Sequence, residues 1–446
     1  MASKIQLSDH FTYGRLLRFT GPTAAMMVFT SIYGIVDGLF VSNFAGTRPF
    51  AALNLIYPLV MMLGTFGTMM GTGGSAIVAK TLGEGDQQRA RGLFSFFILC
   101  TLGFGIACGA LGLAICRPVG MLLGAEGELL RLAVLYGSIL CVFLPFMMLQ
   151  QAFQSYLTAA GRPKVGLAVM VTAGIVNIAL DALFIAGFGW GLAGAALATA
   201  IGEVVGGVVP IVYFASRANM SLLRLVRPLV EWRALGKACV NGSSEMVSSL
   251  AMSLVGMLYN YQLMRLIGQD GVAAYGVIQY VAWIFMALFM GYAMGSAPLV
   301  SFHFGAGNTA ELKNLFRKSL VIIAVLGVVL TAAVQVLAGP LVRLFMGYDA
   351  AVTELTMEAL SIYAWALLLC GFSIFGSSFF TALNNGVVSA TISFVRTLVF
   401  ETAAIMVLPL FLGTFGIWCA IIVAEAASVA LTTCFLVALH KRYGYA

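Results

Sequence analysis

Tyr33-Gly-Ile-Val-Asp37-Gly-Leu-Phe sits inside an apolar run from Leu16 to Phe44. About 20 apolar residues cross the hydrocarbon core of a bilayer, so a run of this length reads as a transmembrane helix. An ionised Asp near the middle of such a helix costs about 2.5–3.5 kcal/mol on insertion scales. A chain that keeps Asp37 there has to use it or pair it. This stretch therefore sets two expectations together: a membrane-spanning helical fold, and a polar site built inside it.

The rest of the chain agrees with the first. Of 446 residues, 61% are hydrophobic and 9% charged, with a mean hydropathy of +1.00; a soluble domain carries about 25% charged residues. Twelve apolar spans follow one another, at about residues 15–43, 51–79, 92–116, 130–157, 164–187, 191–216, 237–265, 274–303, 315–338, 355–382, 388–412 and 415–439. Several exceed 25 residues, which predicts tilt, kinks or protrusion beyond the bilayer. Pro22, Pro145, Pro210, Pro298 and Pro409 lie inside or near the ends of spans, and each removes a backbone donor. The start is polar and charged and the first apolar run is too long for a signal-peptide core, so no cleavable leader is expected.

Charge orients the chain. With a cytoplasmic N-terminus, 18 Lys and Arg fall in inside segments and 5 in outside ones, with Arg396 left inside a span. That bias, and the even span count, put both termini in the cytoplasm of a multi-pass cell-membrane protein. The net charge of +7 lies in these short loops and gives no reason to expect a nucleic-acid partner.

The two halves repeat. Under a shift of 222 residues, Gly34 falls on Gly256, Gly83 and Gly85 on Gly305 and Gly307, Leu93-Phe94 on Leu315-Phe316, Pro118 on Pro340 and Glu203 on Glu425. Six spans per half place both copies the same way up, a known transporter plan with the site between the halves. The fold class is thus an all-α polytopic membrane protein with two pseudo-symmetric six-helix bundles: an N-lobe over 1–216, a cytoplasmic linker over 217–237 and a C-lobe over 238–446. In the linker, Leu222, Leu223, Leu225 and Val226 alternate with Arg224 and Arg227, which suggests an amphipathic helical piece on the membrane surface.

The intramembrane ionisable residues are Asp37, Asp181, Glu203, Glu245, Arg396, Glu401 and Glu425. The repeat sorts them. Asp37 falls on Tyr259 and Asp181 on Ala403, so the first half has two central carboxylates that its sister lacks. Glu203 and Glu425 match, which favours an architectural role for both. Tyr33 with Asp37, Asn177 with Asp181, and Gln151 with Gln154 are helical neighbours at i, i+3 or i, i+4. Thr199 lies mid-way along the sixth span. Such oxygens suit a hard cation like Na⁺, and two close carboxylates also make a proton site. The bland alternative is hydrogen bonding between helices. Glu245, near the start of the seventh span, reads equally as a helix-end or snorkelling residue. Arg396 and Glu401, at i, i+5, read as an ion pair, mutual or with a neighbouring helix, or as substrate contacts.

The eight Cys contain no CxxC pair and read as small buried hydrophobes; the three His are far apart. No metal centre other than a Na⁺ site and no cofactor is expected. A membrane enzyme would need a nucleophile, a His cluster or a metal motif near a membrane face, and none is found.

Taken in order, several stretches resemble the multidrug and toxic compound extrusion (MATE) transporters. They are Gly21-Pro22 with Tyr33-Gly-Ile-Val-Asp37, Gly71-Thr-Gly-Gly-Ser-Ala76 with Leu82-Gly-Glu-Gly-Asp86, and Asn177-Ile-Ala-Leu-Asp181. In the second half they are Asn241-Gly-Ser-Ser-Glu245 and Gly291-Tyr-Ala-Met-Gly-Ser-Ala-Pro298 with Phe304-Gly-Ala-Gly-Asn308. The resemblance implies a two-lobe, alternating-access antiporter. Such a protein exports small amphiphilic, often cationic compounds against inward H⁺ or Na⁺ and works in the bilayer as a monomer. It points to the DinF-type branch, whose coupling site lies in the N-lobe. Carried over, that site falls on Asp37, Asn177, Asp181 and Thr199, with Tyr33, Tyr136, Gln151 and Gln154 around it and Pro22 where the first helix bends. The glutamines stand where other members often have asparagines. A lipid-linked saccharide flippase or another solute carrier of the same superfamily would share the fold.

Overall fold

The computed structural model describes residues 5–41, 44, 47–217, 219–346 and 350–445. Hydrocarbon offers the backbone no hydrogen-bonding partner, so a spanning segment must satisfy its own N–H and C=O groups, and helices do this. In chain order they are α1 Tyr13–Phe40, α2 Thr47–Gly83, α3 Gln87–Leu122, α4 Gly127–Ala159, α5 Pro163–Asp181 continued by a π-turn Ala182–Gly187, and α6 Gly191–Ala215. The second set is α7 Trp232–Leu266, α8 Gln269–Gly305, α9 Thr309–Met346 and α10. That last helix runs Ala350–Tyr363, tightens to 3₁₀ over Ala364–Ala366 and resumes over Leu367–Ala382. Gly386–Phe394 then passes through a π-turn, Val395–Glu401, into the helical run Thr402–Tyr443. That run is broken at Gly413, whose φ of 58° and ψ of −137° suit only a residue without Cβ. Residues 386–412 are therefore α11 and residues 414–443 are α12.

Nine described helices pass the length and apolarity needed to cross a membrane, and one of these, Gly386–Tyr443, holds both α11 and α12. With α1 and α7 the count is twelve. At 37 and 38 residues α2, α8 and α9 are well beyond the need of a bilayer core; at about 1.5 Å per residue each exceeds 50 Å and protrudes.

Helices α1–α6 and α7–α12 form two bundles, and small residues decide where they meet. A Cβ on Gly83 of α2 would overlap Phe302 O of α8, and one on Gly305 of α8 would overlap Lys80 O of α2. Gly73 of α2 packs on Ala238 O of α7, while its repeat mate Gly295 of α8 packs on Thr20 of α1. Gly242 of α7 packs on Met69 O, and Gly291 of α8 on Ala24. The contacts obey the repeat: α1 with α8, α2 with α7, and α2 with α8 on the pseudo-twofold axis. They also lie in the same halves of their helices, those next to the N-terminus and the linker. Towards the other end, Gly34 of α1 and its mate Gly256 of α7 have open space beside them. The bundles splay from an apex at the linker face.

Two straps cross that apex. The segment before α1 docks on α9 of the other bundle. His10 Nδ1 pairs with Glu311 Oε2 at 2.6 Å, Phe11 N donates to Glu311 Oε1 at 2.8 Å, and Asn314 and Lys318 donate to Phe11 O. Leu7, Phe11, Leu16 and Phe19 are buried in the core of the second bundle. The linker does the reciprocal thing on α3: Leu229 N donates to Gly92 O, Val226 N to Ser95 Oγ, and Arg89 pairs with Glu231 at 3.1 Å.

Between α6 and α7 the described residues of the linker contain no helical piece. Residues 219–231 are irregular, and α7 starts at Trp232, ahead of the span expected from hydropathy. The alternation of Leu and Arg is that of an extended strap with Leu223 fully buried, and Pro228 biases residue 227 away from the helical region.

Candidate functional site

The polar pocket lies inside the first bundle, in the half remote from the apex. Asp181 closes the regular part of α5, at the point where the helix widens into its π-turn, and is 0% exposed. π-turns displace side chains from the ordinary helical register and recur at functional sites. Asp37 on α1 is partly buried, with Oδ1 enclosed. The two carboxyl groups face each other closely enough to interact directly. Neither oxygen of Asp181 has a partner in hydrogen-bond geometry.

One turn before Asp181, Asn177 is 2% exposed and donates through Nδ2 to Thr199 Oγ1 of α6, at 3.5 Å; its Oδ1 has no partner. Gly202 permits this approach, since a Cβ there would come within 3.1 Å of Asn177 Cβ. One turn after Thr199 comes Glu203, also buried, with Oε2 enclosed and unpartnered. Tyr33 of α1 is in electrostatic reach of Glu203, Asp37 and Asp181, and Tyr136 of α4 of Asp37 and Glu203. Tyr57 of α2 joins them; sequence reasoning missed it, and a tyrosine beside Pro58 in the first part of the second span was the only signal available.

The structure thus brings together Tyr33, Asp37, Tyr136, Asn177, Asp181, Thr199 and Glu203. It separates the two glutamines. Gln151 lies against α2 at Gly64 and Gly67 with its Oε1 unpartnered. Gln154 turns with Gln150 towards Met170 of α5, both donating to Sδ at 3.5 Å. Pro22 sits between Thr20 and Ala24, two α1 residues that pack on glycines of α8.

The remaining candidates are elsewhere. Glu245 is partly buried on α7, with no ion-pair partner among the described residues. Arg396 and Glu401 lie within the second π-turn, in α11. Arg396 gives Nε and Nη2 to Glu425 Oε1 of α12, at 2.9 and 2.6 Å; its partner is on the neighbouring helix, and Glu401 stands in electrostatic reach of the pair. At the position matching Asp37, Tyr259 stacks on Tyr275 with centroids 4.6 Å apart.

Among the described residues, no basic side chain pairs with Asp37, Asp181 or Glu203. Two unit charges about 4 Å apart repel by about 4 kcal/mol even at an effective dielectric of 20. The arrangement can relieve that only by taking up positive charge.

Paired bundles that meet at one end, with uncompensated acidity buried in one of them, are the build of a secondary transporter that works by rocking its halves, not of an enzyme. Comparison with known proteins says which kind. The MatE family profile matches residues 22–183 and again 246–406, once in each half, and the chain belongs to that family. The multidrug export protein MepA of Staphylococcus saprophyticus is 26% identical over 426 residues, 95% of this chain and 92% of its own length. MepA of Staphylococcus haemolyticus is 26% identical over 428 residues, 96% of this chain and 94% of its own. A solved structure described as the outward-facing conformation of a multidrug resistance MATE family transporter superposes with a TM-score of 0.91 at 22% identity, covering 99% of both chains. A MATE in the straight conformation superposes with 0.91 at 21% identity, covering 99% of this chain and 100% of the other.

Proposed function

We propose that this protein is a secondary active efflux antiporter that exports small amphiphilic, often cationic compounds in exchange for H⁺ or Na⁺. The observation that carries the reading is the Asp37–Asp181 pair: two facing carboxylates in a buried pocket with no basic partner among the described residues. Asn177 and Thr199 supply further oxygens beside them. The similarity to MepA supports the substrate class. In this reading residues 1–216 form the coupling lobe, 217–237 the linker and 238–446 the second lobe, with both termini cytoplasmic. The apex then closes the cytoplasmic side, and the state is open to the outside. Cation uptake neutralises the pocket and changes how α1 packs above Pro22, which shifts the balance between outward- and inward-open states. Arg396 is engaged with Glu425, so it does not give the interior the free cationic surface that a saccharide flippase needs.

Purified protein in liposomes under an imposed H⁺ or Na⁺ gradient tests the pair. Asp37→Asn keeps the shape and removes the charge; it should insert normally and lose gradient-driven export. Export at the wild-type rate by that variant would show Asp37 to be a structural hydrogen-bonding residue and the mechanism to be wrong.

A further inference from the structure

Glu203 and Glu425 occupy matching positions 222 residues apart, and the two lobes treat them in opposite ways. Glu425 is 2% exposed, and its Oε1 accepts both hydrogen bonds of the Arg396 guanidinium. Under the same shift Arg396 falls on Gly174 of α5. There the room for a side chain is taken by the ring of Phe29: a Cβ on Gly174 would lie 2.5 Å from Phe29 Cε1. The N-lobe has thus kept the acid and filled the place of its counter-ion with an aromatic ring.

What faces Glu203 is acidic or neutral. Asp37 comes from α1 together with the Tyr33 hydroxyl, Tyr57 from α2 and Tyr136 from α4. On α6 itself Thr199 stands one turn away, and across from it Asn177 of α5 carries an enclosed, unpartnered Oδ1. Glu203 is 7% exposed with Oε2 fully enclosed, and it enters no ion pair among the described residues. An ionised carboxylate held this way keeps an uncompensated desolvation cost. One cation on the aspartate pair leaves that cost in place.

We infer that Glu203 is a third cation-holding carboxylate of the N-lobe pocket, so that the pocket exchanges two monovalent cations per cycle, one on the aspartate pair and one at Glu203. This rests on the reading of the pocket as the coupling site. Cations enter while the pocket communicates with the outside and leave to the cytoplasm: a proton is held as the O–H of a carboxyl group and given up from it again, whereas Na⁺ is only coordinated by the carboxylate oxygens. Glu425 does not take part, because Arg396 already neutralises it.

The test measures stoichiometry. Wild type, Glu203→Gln and Asp37→Asn are placed in liposomes clamped at zero voltage with K⁺ and valinomycin, and ethidium flux is followed under a H⁺ gradient alone and a Na⁺ gradient alone. At flux reversal the ethidium gradient equals the cation gradient raised to the number of cations exchanged. A tenfold cation gradient is then balanced by about a hundredfold ethidium gradient for two cations and about tenfold for one. Wild type should reverse near the first value and Glu203→Gln near the second, and the arm that drives flux identifies the cation. Equal reversal ratios in wild type and Glu203→Gln overturn the inference. If Glu203→Gln does not insert, the wild-type ratio decides alone, and a tenfold value overturns it. Failure of the coupling-site reading looks different: Asp37→Asn then transports as wild type does, and absence of ethidium flux in wild type under either gradient removes both.

Discussion

Arg396 and Glu425 show how a single pair sets what its neighbours can do. Both are sequestered in the second lobe, with side chains 18% and 3% exposed. Removing one partner of a buried ion pair costs about 3–5 kcal/mol, whereas replacing both with apolar groups is often neutral or better. Arg396→Met alone should therefore lower the unfolding temperature of the detergent-solubilised protein sharply, and Arg396→Met with Glu425→Leu should recover most of it. Equal losses in the single and double variants would mean that Arg396 acts on something other than Glu425. The sequence showed that Arg396 and Glu401 share a helix, but a spacing of five along one helix says nothing about which neighbouring helix supplies the counter-ion. Asp37 and Asp181 were legible for the opposite reason: a carboxylate in mid-span, without a mate in the sister half, stands out with no knowledge of packing. Tyr57 was not, since a tyrosine in an apolar span is common and only its surroundings reveal its company.

Helix α1 belongs to both lobes. Its first turns, with Leu16 and Phe19, are part of the second lobe's core, while its far half carries Tyr33 and Asp37 into the first lobe's pocket. Pro22 lies between the two parts, where a missing backbone donor makes bending cheap. The strap before α1 fixes the near part to α9 and its counterpart fixes α7 to α3, but the two attachments differ in strength. Glu311 is almost enclosed and accepts hydrogen bonds from Phe11 N and Asn314 while pairing with His10. Arg89 and Glu231 are substantially exposed. Hydrogen bonds to a charged group contribute about 1.5–3 kcal/mol, and an exposed ion pair at most about 1 kcal/mol. Glu311→Gln should therefore speed amide hydrogen exchange at Phe11 by tenfold or more (about 1.4 kcal/mol per decade), and Glu231→Gln should barely change exchange at Leu229. Comparable effects would show that the straps depend on their buried leucine and phenylalanine and not on the carboxylates. The spans were readable from hydropathy. The straps were not, because an extended segment with alternating Leu and Arg has the composition of a surface helix, and only its partners on α3 distinguish the two.

At the scale of the whole molecule the repeat is a property of the contacts as well as of the sequence. Gly83 and Gly305 make the same contact from opposite sides of the axis, and Gly73 and Gly295 occupy matching places in the α2–α7 and α8–α1 crossings. The shift of 222 was visible in the chain. Which faces of the bundles meet was not, because lipid tails and protein interior are equally apolar and an apolar span carries no amphipathic stripe to mark its buried side. Small residues that let backbones touch decide it instead, and they are confined to the linker-side halves of α1, α2, α7 and α8. If the loop charges orient the chain as read, the sealed end faces the cytoplasm and the Gly34–Gly256 end opens outward. Single cysteines test this in a background with the eight native cysteines replaced. Gly256→Cys has open space beside it in a helix and introduces no strain; it should react with a membrane-impermeant maleimide added outside intact cells. Ser221→Cys, on the linker, should react only in inverted vesicles. External labelling at 221 with protection at 256 would reverse the orientation and make the sealed face the outer one. In that case the pocket holding Asp37 would lie on the cytoplasmic side, and the same cation would have to be loaded from within.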